Sequence, residues 1–181
     1  MTMTATAGAV RLNYLQYVID SDCQAYANAL RILLPDRLEA IDNPRLLYVL
    51  PVNPDVSLRW GDGLDTVMQL DLHNRYGMIA VAPSFSDWPF YADHSDDPKI
   101  RQETYFVEDI VPFVDRMYPK ASQTRLLLGF SKSGNGAYQL LLRHPALFHA
   151  AAIWDAPVMV DNANKSSMPD IYGTEENFEN Y

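Results

Sequence analysis

Arg125-Leu126-Leu127-Leu128-Gly129-Phe130-Ser131-Lys132-Ser133-Gly134-Asn135-Gly136-Ala137 is the stretch from which the rest of the chain can be read. It opens as a short apolar run, entered from the polar Ser122-Gln123-Thr124 and too short for a core helix, which predicts a buried strand. The small residues that follow lead into an amphipathic segment from Tyr138 to Arg143, so the pattern is strand, sharp turn, helix. Ser131 sits at the apex, with Gly129 two residues before it and Ser133, Gly134 and Gly136 after it. A serine on such a turn is lifted clear of the sheet edge, and small neighbours let the helix start close to the strand. These are the requirements of a nucleophile elbow.

Three other readings compete for the same residues. The Gly129 to Gly134 spacing matches the glycines of a phosphate-binding P-loop, but Asn135-Gly136 stands where that loop requires Lys and Ser or Thr. A dinucleotide fingerprint starting at Gly134 would require glycine at 139, where the chain has Gln139. The third is a tight strand-to-helix connection whose serine does no chemistry. The surrounding chain has to discriminate between this and the elbow.

The chain has 181 residues, 48% of them hydrophobic, with no shift in composition, which predicts one globular domain with its own core. Its 23 acidic and 14 basic residues leave a net charge of -9 and no segregated basic patch, so neither nucleic acid nor an anionic membrane is an expected partner. No stretch approaches the length of a membrane-spanning helix. Cys23 is the only cysteine and reads as a small buried or half-buried thiol, and residues 1–9 lack the basic and apolar regions of a secretion signal. A cytoplasmic location is the expectation.

In chain order, Val10 to Ile19 and Tyr26 to Leu34 alternate imperfectly and suit half-exposed strands. Leu46 to Leu50 reads as a central strand stopped by Pro51, and Pro51 to Gly63 as a loop containing Trp60. Leu64 to Tyr76 has helical spacing, closed by Gly77. Met78 to Ala82 is another short strand, followed by a long loop, Ser84 to Pro98, that gathers Phe85, Trp88, Phe90 and Tyr91. Such a loop suits a binding cleft or lid as well as packing over the core edge. A helix from Arg101 to Tyr118 presents Phe106, Ile110, Phe113, Val114 and Met117 on one face, with a kink expected at Pro112. Ala150 to Trp154 is a further strand with Asp155 at its carboxyl end, and Val158 to Tyr181 is polar, acidic and without clear period. Strands alternating with helices predict an α/β fold with a mainly parallel sheet and helices on both faces. Pro51-Val52, Pro83-Ser84, Ser131 and Asp155 all fall at the carboxyl ends of strands, where such sheets bind ligands.

With these pieces in place the chain resembles the esterase D, feruloyl-esterase and mycolyltransferase branch of the α/β-hydrolases. That family's elbow is glycine, any residue, serine, any residue, glycine, glycine, any residue, glycine, alanine, and Gly129 to Ala137 meets it with Ser133 in place of one glycine. Arg75-Tyr76-Gly77 into Val81-Ala82-Pro83, Trp88 to Asp93, Glu103-Thr104-Tyr105, Ile110 to Asp115 and His144 to Phe148 match as well. The resemblance runs from about Leu46 to about Ala156, dividing the domain into N-terminal strands (1–45), a core with the elbow (46–156) and a polar tail or the start of a missing C-terminal part (157–181).

By position, the resemblance implies Ser131 as the acyl-forming nucleophile and the Lys132 N–H as one oxyanion donor. The second donor comes from the loop after Leu50; Pro51 has no N–H, which leaves Val52 or Asn53. Asp155 is a candidate acid, with capping of the next turn as the rival reading. Trp88, Phe90 and Tyr91 are candidates for binding an aryl or acyl group. No cofactor is expected. The Asp93-His94-Ser95-Asp96-Asp97 cluster has metal-like composition without a ligand frame and reads as solvated loop. The family's histidine has no counterpart: His144 and His149 lie at the end of the elbow helix or just beyond it, His73 is on an earlier helix, and only His94, in the aromatic loop, is placed to reach the cleft.

Two functions follow as expectations. One is a serine hydrolase of carboxylic esters acting on a small molecule, with the acid and histidine still to come in a longer chain of which this is part. The other is a non-catalytic binding or assembly module that kept the scaffold and lost the base. The second leaves an exposed sheet edge, to be covered by self-association or by a partner.

Overall fold

The computed structural model describes residues 4–7, 14–54, 61–158 and 168–181. Val10 and Trp60, named above, lie outside the described residues. Seven strands form one sheet in the order β1-β2-β3-β5-β4-β6-β7: β1 (Thr4–Ala7), β2 (Leu15–Asp20), β3 (Asn28–Leu33), β4 (Arg45–Val49), β5 (Met78–Pro83), β6 (Arg125–Phe130) and β7 (Ala150–Trp154). The first three strands are antiparallel to their neighbours, and β4, β5, β6 and β7 are parallel. This is the predicted α/β architecture, with an antiparallel extension at its N-terminal end.

Both faces of β4 and β5 are covered, which is why these strands read as continuous apolar runs. Leu46 and Tyr48 of β4 turn to one core, and Leu47 and Val49 to the other. Helix α1 (Gly63–Gln69) lays Leu64 and Val67 on the second face, capped by the Asp62 carboxylate, which accepts from the N–H groups of Leu64 and Asp65. The single helix expected over 64–76 is broken at Asp71. That residue adopts a left-handed conformation (φ 55°), its carboxylate accepts from Asn74 Nδ2 at 2.7 Å, and a short α2 (Leu72–Arg75) starts anew. Gly77 ends α2 at φ 60°, as a helix-closing glycine does.

On the first face, Gln102–Thr104, a π-helical Tyr105–Ile110 and Val111–Met117 run together as one rod, α3. Pro112 lacks the N–H of the regular ladder, and the wider π turns lie immediately before it. Tyr105, Phe106, Ile110 and Val114 are buried, while Phe113 and Met117 pack at the core margin. Helix α4 (Lys132–Arg143) follows β6 directly and buries Ala137 and Leu140 on the same face.

The tail contains order that its composition did not announce: α5 (Met168–Ile171) and α6 (Glu175–Glu179). It is held by docking rather than by amphipathic period. The Tyr172 ring packs edge-on to Phe178 at 5.1 Å, and the Tyr181 hydroxyl donates to Glu103 at 2.6 Å. At the sheet's C-terminal edge β7 is exposed along most of its length, Trp154 by 52%. Among the described residues no helix is long and apolar enough to cross a membrane.

Candidate active site

Ser131 stands between β6 and α4 with φ 52° and ψ -123°, a left-handed backbone conformation that non-glycine residues seldom adopt. Its N–H donates to the Trp154 carbonyl of β7 at 3.2 Å, and its own carbonyl accepts the first helical bond, from Asn135. The small residues around it are explained by contact. A Cβ on Gly129 would lie 2.2 Å from the Ser133 carbonyl oxygen, so only glycine lets helix and strand approach this closely. Ser133, which replaces a glycine of the family pattern, is fully buried. Its hydroxyl accepts from the Phe130 N–H and donates to the Phe130 carbonyl, both at 2.9 Å, closing the turn on itself.

The N–H groups of the first helical turn have no acceptor within α4. No backbone acceptor among the described residues takes the Lys132 N–H, nor those of Val52 and Asn53 in the loop beyond β4. Both segments follow the carboxyl ends of their strands, Val49 of β4 and Phe130 of β6. Asn53 is buried and Val52 partly so.

Tyr91 does not line a cleft as its place in the aromatic loop suggested. It is fully buried, edge-on to Phe85 at 5.3 Å, and its hydroxyl donates to the Pro51 carbonyl at 2.7 Å. A Cβ on Gly136 would fall 2.1 Å from the Tyr91 ring. One side chain thus braces both the loop after β4 and the helix after Ser131. Phe85 is likewise a core residue.

Trp88 and Phe90 do face outward, Trp88 half-exposed, and they meet the residue that follows Ser131. The Lys132 ammonium lies 4.1 Å from the Trp88 ring centroid and 4.8 Å from that of Phe90. The backbone carrying these rings is fixed by Gln102, whose buried carboxamide accepts from the N–H groups of Phe90 and Tyr91 (2.8 and 3.0 Å) and donates to the Trp88 carbonyl (2.8 Å). Gln102 was not singled out from the sequence, and Ser133 was read there only as a small residue. A lone polar residue opening a helix, or a serine within a glycine-rich turn, gives no sign of its target until the chain is folded.

All four histidines are engaged away from Ser131. His94 uses both ring nitrogens, Nδ1 accepting from the N–H groups of Asp96 and Asp97 and Nε2 lying 2.8 Å from the Pro169 carbonyl. His73 is buried beside Asn74, and His149 Nδ1 accepts from the Arg125 N–H. His144, read as a simple helix-end residue, lies 2.6 Å from Glu103 Oε1. Glu103 also receives Arg143 and the Tyr181 hydroxyl. Burial pushes its carboxyl up, but the bonds from Arg143, Tyr181 and His144 outweigh that and hold it below its ordinary range. Asp155 sits at the end of β7 in a left-handed conformation (φ 51°), exposed, with no histidine beside it. The carboxylate of Asp93 is taken by the Thr104 N–H and hydroxyl, and among the described residues no cluster has the composition of a metal site.

Beneath the loop after β4 lies a cavity of about 560 Å³, bounded by α1, by Leu128, Phe130 and Trp154, and by Pro51, Val52 and Asn53. Its polar wall is Arg31, paired with Asp62 at 2.5 Å.

The strand-turn-helix elbow and the order of the sheet are those of an α/β-hydrolase. The model of the family described as "Putative esterase" matches residues 79–172, more than half of the chain, and the chain belongs to that family. Solved structures of the same fold include an S-formylglutathione hydrolase from Agrobacterium tumefaciens (15% identity, TM-score 0.70, covering 96% of this chain and 70% of that one). A ferulic acid esterase (21%, 0.63, 82% and 62%) and the MPT51 protein of Mycobacterium tuberculosis (18%, 0.66, 92% and 61%) are similar in the same way. The chain thus spans less than two thirds of the last two. No curated protein matches it.

Proposed function

We propose that this chain carries the nucleophile and oxyanion donors of a serine hydrolase acting on small-molecule carboxylic esters. The observation that supports this most is the backbone of Ser131, held at φ 52° between a parallel strand and the helix that starts at the next residue. On this reading Ser131 Oγ attacks the ester carbonyl carbon, and the oxyanion is received by the N–H of Lys132 together with that of Val52 or Asn53. The alcohol then leaves with a proton, and water releases the acid from the acyl-serine. Trp88 and Phe90 flank the entering ester. Asp155 serves as the acid partner of a base that is none of the four histidines and is supplied from outside residues 1–181.

The test is a fluorophosphonate probe and a chromogenic acetate ester applied to the full-length protein. Labelling is expected at Ser131, and Ser131→Ala should abolish it and reduce ester turnover by about a thousandfold or more. Absence of labelling, or labelling that survives the substitution, overturns the proposal.

A further inference from the structure

Lys132 differs from the other partly buried cations described here. Arg31, Arg125 and Arg143 each pair with a carboxylate. Lys132 forms no ion pair among the described residues; two aromatic rings hold it instead, with Asp87 acting only at longer range. Ring faces attract an ammonium through their quadrupole but carry no net charge, so they fix its position and strip part of its water without neutralising it. Burial accordingly lowers its pKa. The rings cannot fold away, because Gln102, itself 2% exposed, ties down the backbone at 88, 90 and 91. A partly desolvated cation held in place without a carboxylate partner among the described residues is suited to receive an anion.

We infer that the Lys132 ammonium is the receptor for a carboxylate on the substrate, so that the site selects esters bearing an acid group a few bonds from the reacting carbonyl. The inference rests on the ester-hydrolase reading. The N–H proposed to receive the oxyanion and the ammonium proposed to receive the carboxylate belong to the same residue, so the two are separated by no more than one extended lysine side chain. A four-carbon acid ester spans such a distance, and a neutral ester would leave the ammonium unsatisfied.

The inference is tested by calorimetric titration of full-length Ser131→Ala protein, which cannot turn substrate over, with monomethyl succinate and with dimethyl succinate. The monoanion should bind about tenfold more tightly than the neutral diester. That preference should shrink with added salt, vanish when Lys132→Met is added, and survive Lys132→Arg. Equal binding of the two esters, or a preference that persists in Lys132→Met, overturns the inference. Fluorophosphonate labelling of the unsubstituted protein reports separately on the hydrolase reading: labelling without an anion preference removes this inference alone, and an anion preference without labelling removes the hydrolase and leaves an anion site.

Discussion

At Ser133 a hydroxyl does what a glycine at the same position cannot. It bonds both the N–H and the carbonyl of Phe130, on the strand side of the turn, and so stiffens the backbone that presents Ser131. Ser133→Ala keeps the size small and removes the bonds, leaving a buried N–H without a partner. Stability to urea should fall by about 1–3 kcal/mol, and probe labelling of Ser131 should slow. The sequence showed the elbow because its glycines are required by close contact, and contact of that kind constrains residue type. The hydroxyl of Ser133 was invisible in the same stretch, since serine is also small and its partner is set only by the turn.

Among the elements, the aromatic loop departs most from its linear reading. Four rings in one segment divide by function: Phe85 and Tyr91 enter the core, Trp88 and Phe90 face Lys132. Gln102, at the start of α3, decides that division through three bonds to the loop backbone. Gln102→Leu should destabilise by about 2 kcal/mol, and hydrogen exchange at the Phe90 and Tyr91 amides should accelerate more than in the strands. Strands β4 and β5 were legible because each is a short apolar run buried on both faces. The break at Asp71 and the π turns before Pro112 were less so, because each depends on local backbone geometry that periodicity does not encode.

For the molecule as a whole, Glu103 joins the tail to the core. Its carboxylate gathers Arg143 and His144 from the end of α4 and Tyr181 from the chain's last residue. Its carboxyl is held below the ordinary value of 4.5, so the stabilisation is complete above that value and is lost as pH falls through the folded-state value. Acidification below pH 4.5 should therefore loosen residues 168–181, seen as faster hydrogen exchange there. Glu103→Gln should remove that dependence and cost about 2 kcal/mol at neutral pH. The tail's lack of period hid this docking, and the pairing of His144 with Glu103 joins residues 41 positions apart. No histidine stands in the family's position in the sequence, and in the structure the four histidines meet Asn74, Pro169, Arg125 and Glu103.

The contact between Tyr91 and Gly136 binds two sequence positions into one unit of inheritance. Any side chain at 136 collides with the ring, and shrinking the ring to make room surrenders the hydroxyl that holds Pro51. Gly136→Ala should cost about 1–3 kcal/mol by overpacking. Pairing it with Tyr91→Leu should recover part of that stability in a double-mutant cycle while ester turnover falls further, because the Pro51 carbonyl is then unheld. Drift at either position is confined to changes the other has already permitted, so this pair should vary together or not at all.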